Sequence, residues 1–335
     1  MTISTALPTV ALAGLLLLVV PMHGAAQDRT GVGASDWTPE RLADGQPNIS
    51  GMWDNTRALF TPVELPEELA GQQLSDDELL ARAEAAAQSL VAAGEWKGFE
   101  SSSGVGAYGF HWFDWYFDDR QDIGQPALVV DPATGRIPAR TANASESIAM
   151  SAAEQFDSAD RMDADDRCIS RGPSGMWPTH VNNGKLILQA PGYVVIHSEM
   201  IHNVRIIPID TPHADEKIRL WNGDPRGRWD GNTLVVESTN FRAVPHIRGT
   251  SPSHPSRQSE VQRTTERFTL AGPDMLLYSA TMDDADTFTA PWTVAFPFDR
   301  ESDYLQFEFA CHEGNYAVPG ALSGARALEA RAVAR

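Results

Sequence analysis

Two short stretches combine the side chains that acid/base chemistry needs. Cys311-His312-Glu313-Gly314-Asn315-Tyr316 sets a thiol, an imidazole, a carboxylate, an amide and a phenol in consecutive positions. Glu199-Met200-Ile201-His202 places a carboxylate three residues ahead of a second imidazole. A carboxylate beside an imidazole selects its tautomer and raises its basicity, so a Glu/His pair suits proton transfer near neutral pH. Two such pairs, Glu199 with His202 and Glu313 with His312, read as an acid and a base flanking one substrate. His/carboxylate sets also suit zinc or iron. No helix-borne His-Glu-x-x-His motif is present, so the expectation is an enzyme without a metal or other cofactor, with zinc or iron the alternative. Nucleophile and nucleotide signatures are missing. No Gly-x-Ser-x-Gly elbow, Walker loop or Gly-x-Gly-x-x-Gly turn follows a strand pattern.

A wider set of residues has the character of a binding wall. Tyr108–Phe117 holds seven aromatics in ten residues, and His111, Trp112, Asp114, Trp115 and Tyr116 within it suit a largely apolar pocket with a few polar groups. The same stretch reads equally as a hydrophobic plug over a sheet. Arg167–Gly184 mixes Gly, Pro and polar side chains in the manner of an ordered functional loop; Arg171, His180, Asn182 and Asn183 are its candidates. Arg226, in Gly223–Gly231, could hold a ligand carboxylate or belong to a structured β-connection. Asn315 and Tyr316 complete the set.

The elements that must position these groups follow from pattern. Short strand-like runs follow one another over Lys185–Gln189, Tyr193–Ser198, Val204–Ile209, Ile218–Trp221, Thr233–Thr239, Arg263–Leu270, Met275–Met282, Trp292–Phe298 and Tyr304–Ala310, the last alternating apolar and polar residues, with turn chemistry between them. Short strands at regular spacing predict an antiparallel meander that closes into a barrel or folds into a sandwich. On the last strand, Cys311 would continue the apolar row Leu305, Phe307 and Phe309 toward a core, and His312 would face the other way. Ahead of the meander, 27–184 reads as a wrapping part with a few helices. Ser75-Asp76-Asp77-Glu78 is a capping box opening a helix that ends near Gly94, and Asn143–Gln155 is a second helix. All helices are expected before residue 160, with 317–335 a C-terminal tail. One β-rich domain over 27–335 is the expectation.

Compartment and partners follow from charge and from the amino terminus. Residues 1–27 carry no charged side chain, Val10–Val20 is apolar, and Gly24-Ala25-Ala26 offers small residues for cleavage. That predicts a signal peptide over 1–26 and an exported, periplasmic or secreted protein. In an oxidising compartment the only two cysteines, Cys168 and Cys311, are expected to pair; two separate buried thiols are the alternative. The formal net charge of −19 disfavours nucleic acid and anionic membrane surfaces. The expected partner is a small molecule.

Several motifs together resemble a large uncharacterised family of exported bacterial proteins. They are Asp44–Trp53, Asp131–Pro138, Arg167–Gly172, Pro191–Val195, Glu199–Pro208, Gly223–Glu237 and Cys311–Tyr316. The resemblance covers most of the chain and implies a lipocalin-like β-meander without an assigned activity. Three functional readings remain: an acid/base lyase, hydratase or isomerase acting on a small, largely apolar molecule; a lipocalin-like binding protein; or a metal-dependent hydrolase.

Overall fold

Most strands between 185 and 300 bury every second side chain, and this period-two burial produces the architecture. The structure, a computed structural model, describes residues 37–95, 123–179, 181–244 and 257–334. The expected signal peptide 1–26, the aromatic residues His111, Trp112, Asp114, Trp115 and Tyr116, and His180 lie outside the described residues. The strands are β1 (Gly51–Asp54), β2 (Val129–Asp131), β3 (Lys185–Ala190), β4 (Tyr193–Ser198), β5 (Asn203–Pro208), β6 (Asp224–Asp230), β7 (Thr233–Thr239), β8 (Arg263–Gly272), β9 (Met275–Asp283) and β10 (Trp292–Arg300). The helices are α1 (Asp76–Glu95), α2 (Ala142–Ala153) and α3 (Ala317–Val333). The sheet runs β5-β4-β3-β1-β10-β9-β8-β7-β6, all antiparallel, with β2 added beside β10.

The two ends of this sheet meet and close the barrel all but completely. Ile209, just past β5, forms a parallel bridge with Gly227 of β6, and the Asp210 N–H donates to the Gly227 carbonyl at 2.8 Å. A Cβ on Gly227 would lie 2.6 Å from Ile209 Cδ1 and 3.0 Å from Ile207 Cγ2. Glycine is therefore what lets the seam strands approach. The antiparallel barrel expected from the sequence is present.

The middle of the barrel is packed with large side chains. Tyr278 on β9 lies 5.0 Å from Phe268, 5.1 Å from Phe296 and 5.7 Å from Phe298, centroid to centroid. An ion pair crosses the same interior. Arg205 of β5 donates through both terminal nitrogens to Glu266 of β8, one contact at 2.9 Å, and the Tyr278 hydroxyl donates to Glu266 Oε1 at 2.9 Å. Glu266 is fully buried and Arg205 nearly so. Burial pulls the Arg205 guanidinium down, but the charge of Glu266, the hydrogen bonding to it and the neighbouring Tyr278 together outweigh burial, so its pKa is raised. Burial, reinforced by the same carboxylate, pushes the Tyr278 phenol well above its ordinary range.

Three expectations about elements are corrected. Tyr304–Ala310 is an extended strap outside the sheet rather than a strand, and Leu305 and Phe307 on it are 78% and 67% exposed; the apolar row predicted to enter the core faces outward. Ile218–Trp221 makes only an isolated bridge, Leu220 to Phe241. A helix, α3, occupies the expected C-terminal tail. The N-terminal part also does more than wrap. β1 inserts between β3 and β10, and its four residues are too few to show an alternation against Gly45, Pro47 and Gly51. The capping box is present, with the Ser75 N–H donating to Glu78 Oε2 at 2.8 Å.

Glu266→Ala is expected to destabilise the fold by about 3–5 kcal/mol, because it strands a buried guanidinium, whereas Tyr278→Phe should cost about 1 kcal/mol. Urea denaturation of the two variants measures the order. Tyr278 is neutral in the fold with a raised pKa, so its contribution is complete below the value of an unfolded tyrosine, about 10, and falls as pH rises beyond it.

Candidate active site

The candidate site lies where β3, β4 and β5 begin or end. The β4–β5 connection is a tight turn, Met200–His202, in which Ile201 (φ 59°, ψ 23°) and His202 (φ 41°) both adopt left-handed backbone. A β-branched residue in this region is an outlier that costs on the order of 1–3 kcal/mol. Buried surroundings hold it: Ile201 is 5% exposed, and its turn is tied by Glu199 N–H to the Gly184 carbonyl at 2.9 Å and His202 N–H to the Glu199 carbonyl at 2.8 Å. Cys168 (φ 57°) and Asn182 (φ 59°) share the conformation. Four of the six non-glycine residues with positive φ among the described residues thus belong to this turn and the loop and disulfide beside it. Strain concentrated in this way is characteristic of functional sites.

The strap 304–316 brings the second imidazole here. It leaves β10, passes the start of β3 and the end of β4, and reaches the 159–184 loop. The Tyr304 hydroxyl and the Phe307 N–H donate to Glu199 Oε2 at 2.7 and 3.4 Å, and Gln306 Nε2 donates to the His197 carbonyl at 3.0 Å. The Cys168–Cys311 disulfide, Cα–Cα 5.6 Å, then fastens it. Asn315 Nδ2 donates to the Asp166 carbonyl at 2.9 Å and approaches Cys168 Sγ at 3.2 Å. His312, next to the disulfide, comes within 6.3 Å of His202, ring centroid to ring centroid, with the planes at 54°. Both imidazoles are exposed. His202 Nδ1 lies 2.9 Å from the Phe309 carbonyl. A carbonyl only accepts, so Nδ1 carries the proton, and in the neutral ring Nε2 holds the lone pair.

The remaining candidates divide. Glu199 does not meet the His202 imidazole. Its carboxylate is 1% exposed and accepts from Asn182 Nδ2 at 2.6 Å as well as from Tyr304 and Phe307. The Phe309 carbonyl takes the orienting role expected of Glu199. Glu313 is exposed beside His312. Arg171 is 6% exposed and clasps Asp165 with two nitrogens, at 2.9 and 2.8 Å. Asn183 is buried against Thr179. Asn315 holds the strap. Arg226 sits on β6, paired with Asp224 and donating to the Pro212 carbonyl, which matches the structured-connection reading. Tyr316 is 79% exposed.

Residues that sequence reasoning missed line a shallow cleft beside the histidine turn. Ser170, Thr179, Ser198 and Asn203 join Arg171, Gly175, Met200 and Ile201 there. A chain of hydrogen bonds backs it, from Ser170 Oγ to Asn222 Oδ1 at 2.7 Å and from Asn222 Nδ2 to Asn203 Oδ1 at 2.9 Å. Small polar residues scattered over two loops and two strands leave no sequence signal. Burial, and then the neighbouring Asp163 and Asp165, raise the pKa of the Asp166 carboxyl near the strap.

No protein-family model, curated protein or solved structure matches the chain. Among the described residues, no three His, Cys, Asp or Glu side chains form a metal-binding group, and no helix is long and apolar enough to cross a membrane.

Thiol titration of denatured, unreduced protein should find no free thiol. Cys311→Ser should release the strap, seen as faster amide exchange over 304–316, and should lower stability by about 3–5 kcal/mol on the long-loop estimate. An unchanged exchange pattern would mean that the hydrogen bonds to Glu199 suffice.

Proposed function

We propose that the protein is an exported enzyme performing acid/base chemistry, of the lyase, hydratase or isomerase type, on a small and largely apolar molecule. The observation that carries this reading is the convergence of His202 and His312, 6.3 Å apart, from a strained turn and a strap that share no local sequence. At that spacing a small molecule bound beside the two rings is within reach of a proton donor and a proton acceptor at once. His202 is the base, since its Nδ1–H is committed to the Phe309 carbonyl and its Nε2 is the free lone pair. His312 is the acid partner, and Glu313 is the carboxylate next to it. Glu199 acts as a positioning residue through Asn182 and Tyr304. The disulfide agrees with the signal-like amino terminus in favouring export.

The binding-protein alternative asks for room inside the barrel, where Phe268, Tyr278, Phe296 and Phe298 pack together. The metal-hydrolase alternative asks for a third ligand, and among the described residues none joins the pair.

His202→Ala and His312→Ala should each lower turnover by roughly 10²–10⁴-fold with unchanged circular dichroism. The assay is a panel of unsaturated and hydroxylated apolar compounds, followed by mass spectrometry for gain or loss of water and by chromatography for isomers. An acid and a base working together also require a bell-shaped pH dependence of kcat/KM. Saturable binding without turnover, unaffected by either substitution, would favour carriage instead.

A further inference from the structure

We infer that His202 and His312 also form a binding site for one divalent transition-metal ion of the copper, nickel and zinc group. The inference concerns the pair proposed above as acid and base, and it rests on the geometry of that pair rather than on the activity. A metal bonds imidazole nitrogen at about 2.0–2.1 Å, which sets it about 3.2 Å from the ring centroid. Two rings on one ion can thus stand at most about 6.4 Å apart, and the observed separation is 6.3 Å. Both rings are exposed, so side-chain rotation of about 1 Å brings them from the linear limit to a tetrahedral angle.

The tautomer and orientation of His202 are already those of a ligand. Its Nδ1–H donates to the Phe309 carbonyl, the outer-shell arrangement that orients metal-bound imidazoles and leaves Nε2 to coordinate. Among the described residues no side chain hydrogen-bonds to the His312 ring. Imidazole selects copper, nickel and zinc over magnesium and calcium, and affinity within the series peaks at copper. The formal charge of −19 concentrates divalent cations near the surface. Both cysteines are held in the disulfide, so copper(II) meets no thiol that would reduce it. With no third protein ligand among the described residues, water fills the other positions and the ion exchanges freely. An ion on Nε2 takes the lone pair that the base needs, so the site would switch the proposed chemistry off.

The experiment is calorimetric titration of the metal-stripped, tag-free mature protein with copper(II), zinc(II) and magnesium(II), with electron paramagnetic resonance of the copper-loaded sample. One saturable copper site per chain is expected, with weaker zinc, no magnesium, and hyperfine structure from two imidazole nitrogens. His202→Asn and His312→Asn should each weaken copper at least about tenfold, since even an outer-shell partner is worth about 10–100-fold. His213→Asn, whose imidazole is paired with Asp224, should change nothing. No saturable copper site, or one that survives either substitution of the pair, overturns the inference. Copper loss in variants that keep full turnover would instead overturn the acid/base reading and leave the metal site standing.

Discussion

The ion pair between Arg205 and Glu266 commits the inside of this barrel. A guanidinium and a carboxylate taken out of water cost several kcal/mol each unless they meet in good geometry with their remaining valences filled. Here the two-nitrogen contact and the Tyr278 hydroxyl fill them. The pair joins β5 to β8 through the interior, close to the seam where Ile209 meets Gly227. It therefore ties one edge strand of the sheet to a strand near the other edge, across the closure, while the aromatic cluster around Tyr278 packs the interior beside it.

The candidate site lies at the rim of the barrel, where β3, β4 and β5 begin or end. Strand ends there leave backbone groups without ladder partners, and these must be satisfied by turns and loops. The Met200–His202 turn does so at the expense of left-handed backbone at Ile201 and His202. Buried Glu199 is what makes this affordable: one carboxylate gathers Asn182 from the loop and Tyr304 and Phe307 from the strap. Three segments distant in sequence are thereby fixed around a single charge. The disulfide fastens the end of the strap, and His312 beside it is held near His202 although neither ring is buried.

Much of the fold was legible because it depends on local pattern. Tyr193–Ser198 and Thr233–Thr239 are strands with the boundaries read from the sequence, since short runs rich in β-branched residues between turn signals mark strands. The capping box at Ser75 is similarly local. Tyr304–Ala310 alternates apolar and polar residues more regularly than either, yet it pairs with no strand. Alternation reports a chain with two unlike faces, and whether a neighbouring strand is free to pair with it is a property of the whole sheet. β10 at that point is already flanked by β1 and β9.

The site divides along the same line. From the sequence alone came the residue types, the two Glu/His stretches, and the pairing of Cys168 with Cys311, because the chain's two cysteines have only each other as partners. The tertiary structure alone decided that His202 and His312 are neighbours, that Glu199 turns inward to hold Asn182 and Tyr304 instead of its nearby histidine, and that β1 completes the sheet. Each of these depends on contacts between segments separated by a hundred residues or more in the chain or on competition for one buried carboxylate. Neither leaves a mark in local composition or spacing.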